Sequence, residues 1–210
     1  MALPQTKRNK ILLDGHRLRH NWKKFLNEKD FLELSNYAKN LASSEKIDIF
    51  HNEIDKNNKV IKSTIDEEFL TRINNNYLPI ASKILKDLND EKLNLLSYSD
   101  FTIVKTNKNS KFPIHDDAPN KLLSGVIFLY PKENKGTIFY NNKSGDGKTE
   151  IDWRTNRAVF FSRKERETWH SYEGDNKNDR IALVYNLMTY KKNIREVCRI
   201  EKKNYIWCML

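Results

Sequence analysis

The chain has 210 residues, enough to bury a core without disulfide staples. It carries 38 Lys and Arg against 28 Asp and Glu, a formal charge of +10, and its 11% of aromatic residues argues against bulk disorder. No stretch approaches the ~18 apolar residues of a membrane span, and the first residues lack the apolar core of a secretory signal, so a cytoplasmic protein without a membrane partner is expected.

Basic residues are densest near the start, at Lys7, Arg8, Lys10, Arg17, Arg19, Lys23 and Lys24, with His16 and His20 among them. A nucleic-acid-binding arm and a solvated face explain this equally well, because lysines and acids alternate along the whole chain. The next segment is helical. Phe31, Leu34, Tyr37, Ala38 and Leu41 recur at helical spacing after a cap at Asn27 or Asp30. A second helical region is expected from 65 to 88. Asp66, Glu67 and Glu68 fill its first turn, Phe69, Ile73, Tyr77, Ile80, Ile84 and Leu88 form its stripe, and Pro79 is expected to kink or divide it.

The texture changes near residue 95. Short β-rich runs follow, at 101–106, 125–130, 137–140, 157–161 and 180–187, with turn residues between them. Strands at this spacing with no interleaved helices suggest a sandwich, jelly roll or barrel. The expected fold class is α+β with a mainly β core. Residues 1–94 supply a basic arm and supporting helices, and 95–210 the β core of the same structural unit. Cys198 and Cys208 make no CxxC pair and are expected as thiols. The apolar end, 205–210, could tuck into the core or a partner.

The chemistry concentrates on three residues. His115 and Asp117 form a His-x-Asp after a polar loop. In an extended segment they share one face, whereas Asp116 points away. His170 follows the run 157–161 in Thr168-Trp169-His170-Ser171-Tyr172. Two imidazoles and one carboxylate are the facial triad that holds non-haem Fe(II), and three protein ligands leave positions open for substrate and dioxygen. A structural zinc site would be closed by four ligands, usually including Cys, and neither cysteine is near. Arg180 heads an apolar run, Ile181 to Tyr185, where an unpaired cation is costly. Its planar fork suits a carboxylate, so a dicarboxylate cosubstrate beside the triad is the better account of it.

His-x-Asp, a distal His and an Arg ten residues later resemble the 2-oxoglutarate/Fe(II)-dependent oxygenases. The flanks Gly125–Tyr130, Gly136-Thr137-Ile138-Phe139 and Asn156–Phe161 resemble strands of that family, and the prolyl 4-hydroxylase-like branch is the most similar one over about residues 95–190. The resemblance implies a double-stranded β-helix. It implies Fe(II) on His115, Asp117 and His170, and 2-oxoglutarate held by Arg180 with Thr137 adding a hydrogen bond, with ascorbate as a reductant. The implied activity is hydroxylation of a C–H bond, with a prolyl residue of a peptide or protein as substrate and release of succinate and carbon dioxide. The sequence departs from the branch in three places. Thr106 stands nine residues before His115, where many members carry Tyr; the distal cation is Arg180 in place of Lys; and Lys135-Gly136 replaces a Gly-Gly pair. Two alternatives remain open at this point. One is a nucleic-acid-directed oxygenase or demethylase of the same chemistry, and the other is a non-catalytic β-barrel binding module.

Overall fold

The computed structural model describes residues 8–13, 17–42 and 46–201. His16, Cys208 and the apolar end at 205–210 lie outside the described residues. The described chain is a mainly antiparallel jelly roll, a double-stranded β-helix backed by helices.

The strands are β1 (Arg8–Leu13), β2 (Arg17–Trp22), β3 (Ile47–Phe50), β4 (Glu53–Asp55), β5 (Val60–Lys62), β6 (Tyr98–Thr106), β7 (Lys111–His115), β8 (Lys121–Tyr130), β9 (Ile138–Phe139), β10 (Thr149–Glu150), β11 (Ala158–Phe161), β12 (His170–Glu173) and β13 (Arg180–Met188). The helices are α1 (Glu28–Asn40), α2 (Glu67–Leu88), α3 (Asp90–Leu93) and α4 (Ile194–Glu201). The major sheet runs β1-β2-β11-β8-β13-β6-β4-β5, with β3 also paired to β6. The minor sheet runs β10-β9-β12-β7. Strands are therefore not confined to the part beyond residue 95. The basic segment near the start forms the β1–β2 hairpin, which extends the sheet edge beside β11.

Alternation along β13 separates two cores. Ile181, Leu183, Tyr185 and Leu187 face the helices and join Phe69, Leu70, Ile73, Tyr77, Ile84 and Leu85 of α2. Ala182 faces the other way, into a second core between the sheets with Val126, Phe128, Phe139, Trp153 and Phe161. Arg180, Val184 and Asn186 share its parity and line a cavity there. The site thus lies inside the roll, on the face that the helices do not cover.

Of the two candidates Asn27 caps α1, whereas Asp66, expected inside the first turn of the second helix, is its cap. The Asn27 side chain accepts from Asp30 N at the start of α1, and Asp66 from Phe69 N at the start of α2. Pro79 neither ends nor divides α2, which continues to Leu88. Both Pro79 and Asn75, the residue whose carbonyl loses its helical donor, are exposed, so water can serve that carbonyl.

Candidate metal centre and cosubstrate pocket

His115 ends β7, Asp117 follows just beyond it, and His170 begins β12. His170 pairs directly with His115 across the minor sheet, which brings the ring centroids to 4.2 Å. One ligand atom from each of His115, Asp117 and His170 lies within 4.8 Å of the others. The pairing of two strands thus joins residues far apart in sequence.

Both imidazoles are oriented in the same way. Nδ1 of His115 lies 3.0 Å from the Pro113 carbonyl, and Nδ1 of His170 lies 2.8 Å from the Thr168 carbonyl. A carbonyl only accepts, so each Nδ1 carries the proton. That leaves Nε2 of each ring as the nitrogen available to a metal. Burial pushes the His170 pKa down to about 4; Asp117 opposes this and His115 adds to it. The ring is therefore neutral at pH 7.

Asp117 is buried, and it accepts from Lys121 Nζ at 2.7 Å on Oδ1 and from Ser124 Oγ at 2.5 Å on Oδ2. Burial alone would raise its pKa. The charges of Lys121 and His170 and the hydrogen bonds from Lys121 and Ser124 overcome this and hold the carboxyl well below its usual range. The site offers two imidazoles and one carboxylate, a donor set that suits a divalent first-row metal with open positions.

A second feature lies in the same cavity, which measures about 210 Å³. Arg180 is 3% exposed and makes no side-chain hydrogen bond or ion pair with any described residue. Its guanidinium stacks on Tyr172 at 4.2 Å and on Trp153 at 5.1 Å from the ring centroids. Burial pushes its pKa down to about 10, so it remains a cation at neutral pH. A buried guanidinium without an anion is expensive, and its forked geometry suits a carboxylate. Thr137 and Thr106 are buried nearby: Thr137 lines the same cavity, Thr106 sits opposite Arg180 on β6, and the Thr106 hydroxyl has no partner. Thr137 owes its position to Gly136, where an added Cβ would lie 1.6 Å from the Ile151 carbonyl.

One expectation shifts. Residues 111–114, anticipated as part of a loop over 107–114, belong to β7, which ends at His115. Trp153 packs in the inter-sheet core, stacked on Phe128. Asp116 does point away from the ligands, and there it has a task that the spacing does not show. Its carboxylate accepts from Thr168 Oγ1 at 2.6 Å and from Arg166 N at 2.9 Å. Arg163 approaches it at 3.9 Å while donating from Nε to the Asp117 carbonyl at 2.6 Å.

No family model matches the sequence, and no curated protein matches it. Solved structures match the fold. One is an oxidoreductase of the 2OG-Fe(II) oxygenase family from Burkholderia pseudomallei, with a TM-score of 0.57 and 13% identity over 82% of this chain and 85% of that one. A Trichoplax adhaerens prolyl hydroxylase in complex with a hypoxia inducible factor peptide has a TM-score of 0.55 and 16% identity, over 85% and 86% of the two chains. HygX from Streptomyces hygroscopicus, solved with nickel and 2-oxoglutarate bound, has a TM-score of 0.56 and 8% identity, over 82% and 83%. At such identities the likeness is one of fold. The fold is that of the 2-oxoglutarate/Fe(II) oxygenases. Among the described residues no helix is long and apolar enough to cross a membrane.

Proposed function

We propose that the protein is a 2-oxoglutarate- and Fe(II)-dependent dioxygenase that hydroxylates a substrate C–H bond. The observation that carries this reading is the pairing, in one cavity, of a His-Asp-His donor cluster with a buried guanidinium that lacks an anion. A non-catalytic barrel has no need of that costly cation.

Bound Fe(II) and 2-oxoglutarate supply the oxidation: dioxygen is consumed, 2-oxoglutarate leaves as succinate and carbon dioxide, and C–H becomes C–OH. The chain's own residues do the rest. His115, Asp117 and His170 would hold the metal from one side through two Nε2 atoms and a carboxylate oxygen. The Pro113 and Thr168 carbonyls fix the ring orientations. Arg180 would take the far carboxylate of the cosubstrate, with Thr137 donating a hydrogen bond beside it. Val126, Phe161 and Val184 form an apolar wall that keeps water from the reacting centre. Ascorbate would serve as a reductant that keeps the metal ferrous.

The reading extends to a prolyl residue in a peptide or protein as substrate. It rests on the resemblance and on the peptide-bound prolyl hydroxylase among the fold neighbours. The +10 charge leaves a nucleic-acid substrate as the competing class. Oligonucleotide binding with a steep salt dependence would favour it.

The test is anaerobic. Fe(II) and then 2-oxoglutarate are added to metal-free protein, and the visible charge-transfer band is recorded for wild type and Asp117→Ala. A band in wild type that is lost in the variant is expected. No band, or an equal band in both proteins, overturns the assignment. Succinate release with prolyl peptides then addresses the substrate.

A further inference from the structure

A polar row crosses the inner face of the major sheet at the level of the metal cluster. Asp100 of β6 pairs with Asn186 of β13, and Asn186 with Ser124 of β8. Ser124 bonds Asp117, so the row ends on the donor cluster. Its other end leads to His51, which sits in the break between β3 and β4. The two strands continue each other along β6, with Phe50 opposite Ile103 and Glu53 opposite Asp100. Buried Asn52 staples that break, donating to the Phe101 carbonyl at 2.9 Å and accepting from Thr64 N at 2.6 Å. His51 is thereby turned into the cavity, 2.9 Å from Thr102 Oγ1, with its side chain 43% exposed at the mouth.

This end of the cavity carries negative charge and an unused acceptor. Asp100 accepts from Thr102 Oγ1 at 2.5 Å and from Asn186 Nδ2 at 3.1 Å. That second bond fixes the amide, since a flipped Asn186 would set oxygen against oxygen. Asn186 Oδ1 is then left buried and without a partner, in a residue 2% exposed that lines the cavity. A buried acceptor in this state costs free energy until a donor arrives. Donor atoms of His51, Glu53 and Asp100 lie within 4.8 Å of one another. Among the described residues no lysine or arginine forms an ion pair with Asp100 or Glu53. Lys62 lies opposite Glu53 across the β4–β5 pair, but it is exposed and screened by solvent. Asp100 lies 3.5 Å from His51 Nδ1, and Glu53 stands beside it on β4, so two carboxylates meet one imidazole here.

We propose that this row is a substrate-recognition pocket for a protonated amine or guanidinium, with Asn186 Oδ1 and the Asp100 carboxylate as its acceptors and Glu53, beside Asp100 on β4, adding charge at its edge. The inference rests on the oxygenase reading and narrows it. The substrate carries a cationic nitrogen at the end of the cavity remote from Arg180, and its oxidised C–H lies between the two. Arg180 and Asn186 stand on the same face of one strand, at most about 20 Å apart along the backbone. An anionic cosubstrate and a cationic substrate group are thus sorted to opposite ends by charge.

The test uses metal-free protein and butylammonium as probe, with butanol and butyrate as neutral and anionic controls. Binding is read from the side-chain amide resonance of Asn186. Butylammonium should shift it, and the controls should not. Asp100→Asn and Glu53→Gln should each weaken binding by about tenfold. Glu53→Gln changes a partly exposed residue and covers the case in which the Asp100 variant misfolds. Butanol binding as well as butylammonium, or binding that neither substitution alters, overturns the proposal. A parallel arm compares N-acetyl-lysine methylamide with a lysine-centred peptide. Tighter binding of the peptide assigns the cation to a basic residue in a chain, and equal binding assigns it to a free amine. Mn(II) affinity is measured on the same samples. Its loss in wild type with amine binding intact would fault the metal reading alone.

Discussion

Thr168 Oγ1 donates to the Asp116 carboxylate at 2.6 Å, and this bond ties the loop bearing Asp117 to the loop that leads into His170. Arg166 N adds a second tie at 2.9 Å. Thr168 is also the residue whose carbonyl orients His170. One carboxylate therefore sets the spacing of two of the three candidate metal ligands without being one itself. Asp116→Ala should lower Mn(II) affinity by about 10–100-fold, the usual effect of losing an outer support. Asp116→Asn can still accept one bond and should recover part of the loss. Isothermal titration of the two variants checks the order. Unchanged affinity in Asp116→Ala would reduce the bond to a loop contact.

Arg180 leads to a prediction of unusual sign. Its buried charge has no anion among the described residues, so removing it should relieve strain in the metal-free protein. Arg180→Met should raise unfolding stability by about 1–3 kcal/mol, because a flexible apolar chain replaces an unpaired buried cation. The cosubstrate should act in the opposite direction. With metal present, 2-oxoglutarate at about a hundred times its Kd should stabilise wild type by ~2.7 kcal/mol, and the variant much less. Denaturant melts with and without 2-oxoglutarate test both halves. A variant that melts lower and still responds to 2-oxoglutarate would remove Arg180 from the cosubstrate site.

The donor cluster was legible in the sequence because its chemistry is local. His115 and Asp117 are two positions apart, and His170 follows the strand-like run 157–161 within the same β half. The long strands were legible for a similar reason: runs such as 180–187 are apolar and rich in β-formers. The short strands β3, β4 and β5 were not, since three or four residues carry too little pattern beside two strong helical stripes. The recognition row was hidden for a topological reason. Asp100 and Asn186 are 86 positions apart and meet only through β6–β13 pairing. One signal was present: Asn186 is a lone amide inside an otherwise apolar strand. Thr106 was noted as a departure from the prolyl hydroxylase pattern, and in the structure it pairs with Arg180.

The pH dependence of the metal-free protein follows from His170. In the unfolded chain its imidazole titrates near the ordinary value of 6.5, whereas burial holds it near about 4 in the folded state. Between these values the unfolded chain binds more protons. Stability should fall as pH drops from about 6.5 to about 4, by on the order of 3 kcal/mol in all. His170→Asn should flatten the profile in that window. Urea midpoints measured across the range for both proteins decide it. Parallel profiles would assign the acid sensitivity to other groups.

The last helix bears on the same site through Glu201. Its carboxylate lies 2.7 Å from Lys92 Nζ and also binds Arg163 Nη1, with Lys92 fully buried. Lys92 reaches the Arg163 carbonyl and Ser162 Oγ as well. Burial pushes the Lys92 pKa down, and Glu201 is the main force holding the proton on. Arg163 in turn holds the Asp117 carbonyl. Glu201→Gln would leave two buried cations facing a neutral amide. The expected loss is about 3–5 kcal/mol of stability, as for other buried pairs broken on one side. Lys92→Met in the same background should restore part of it, because one of the stranded charges is gone. Mn(II) affinity should fall with Glu201→Gln even under conditions where the variant is folded, since Arg163 loses the partner that fixes its guanidinium against Asp117. Circular dichroism melts and metal titration on the single and double variants separate the two effects. A Glu201→Gln protein with wild-type stability would show that the cluster is satisfied by Asp116 and backbone carbonyls alone.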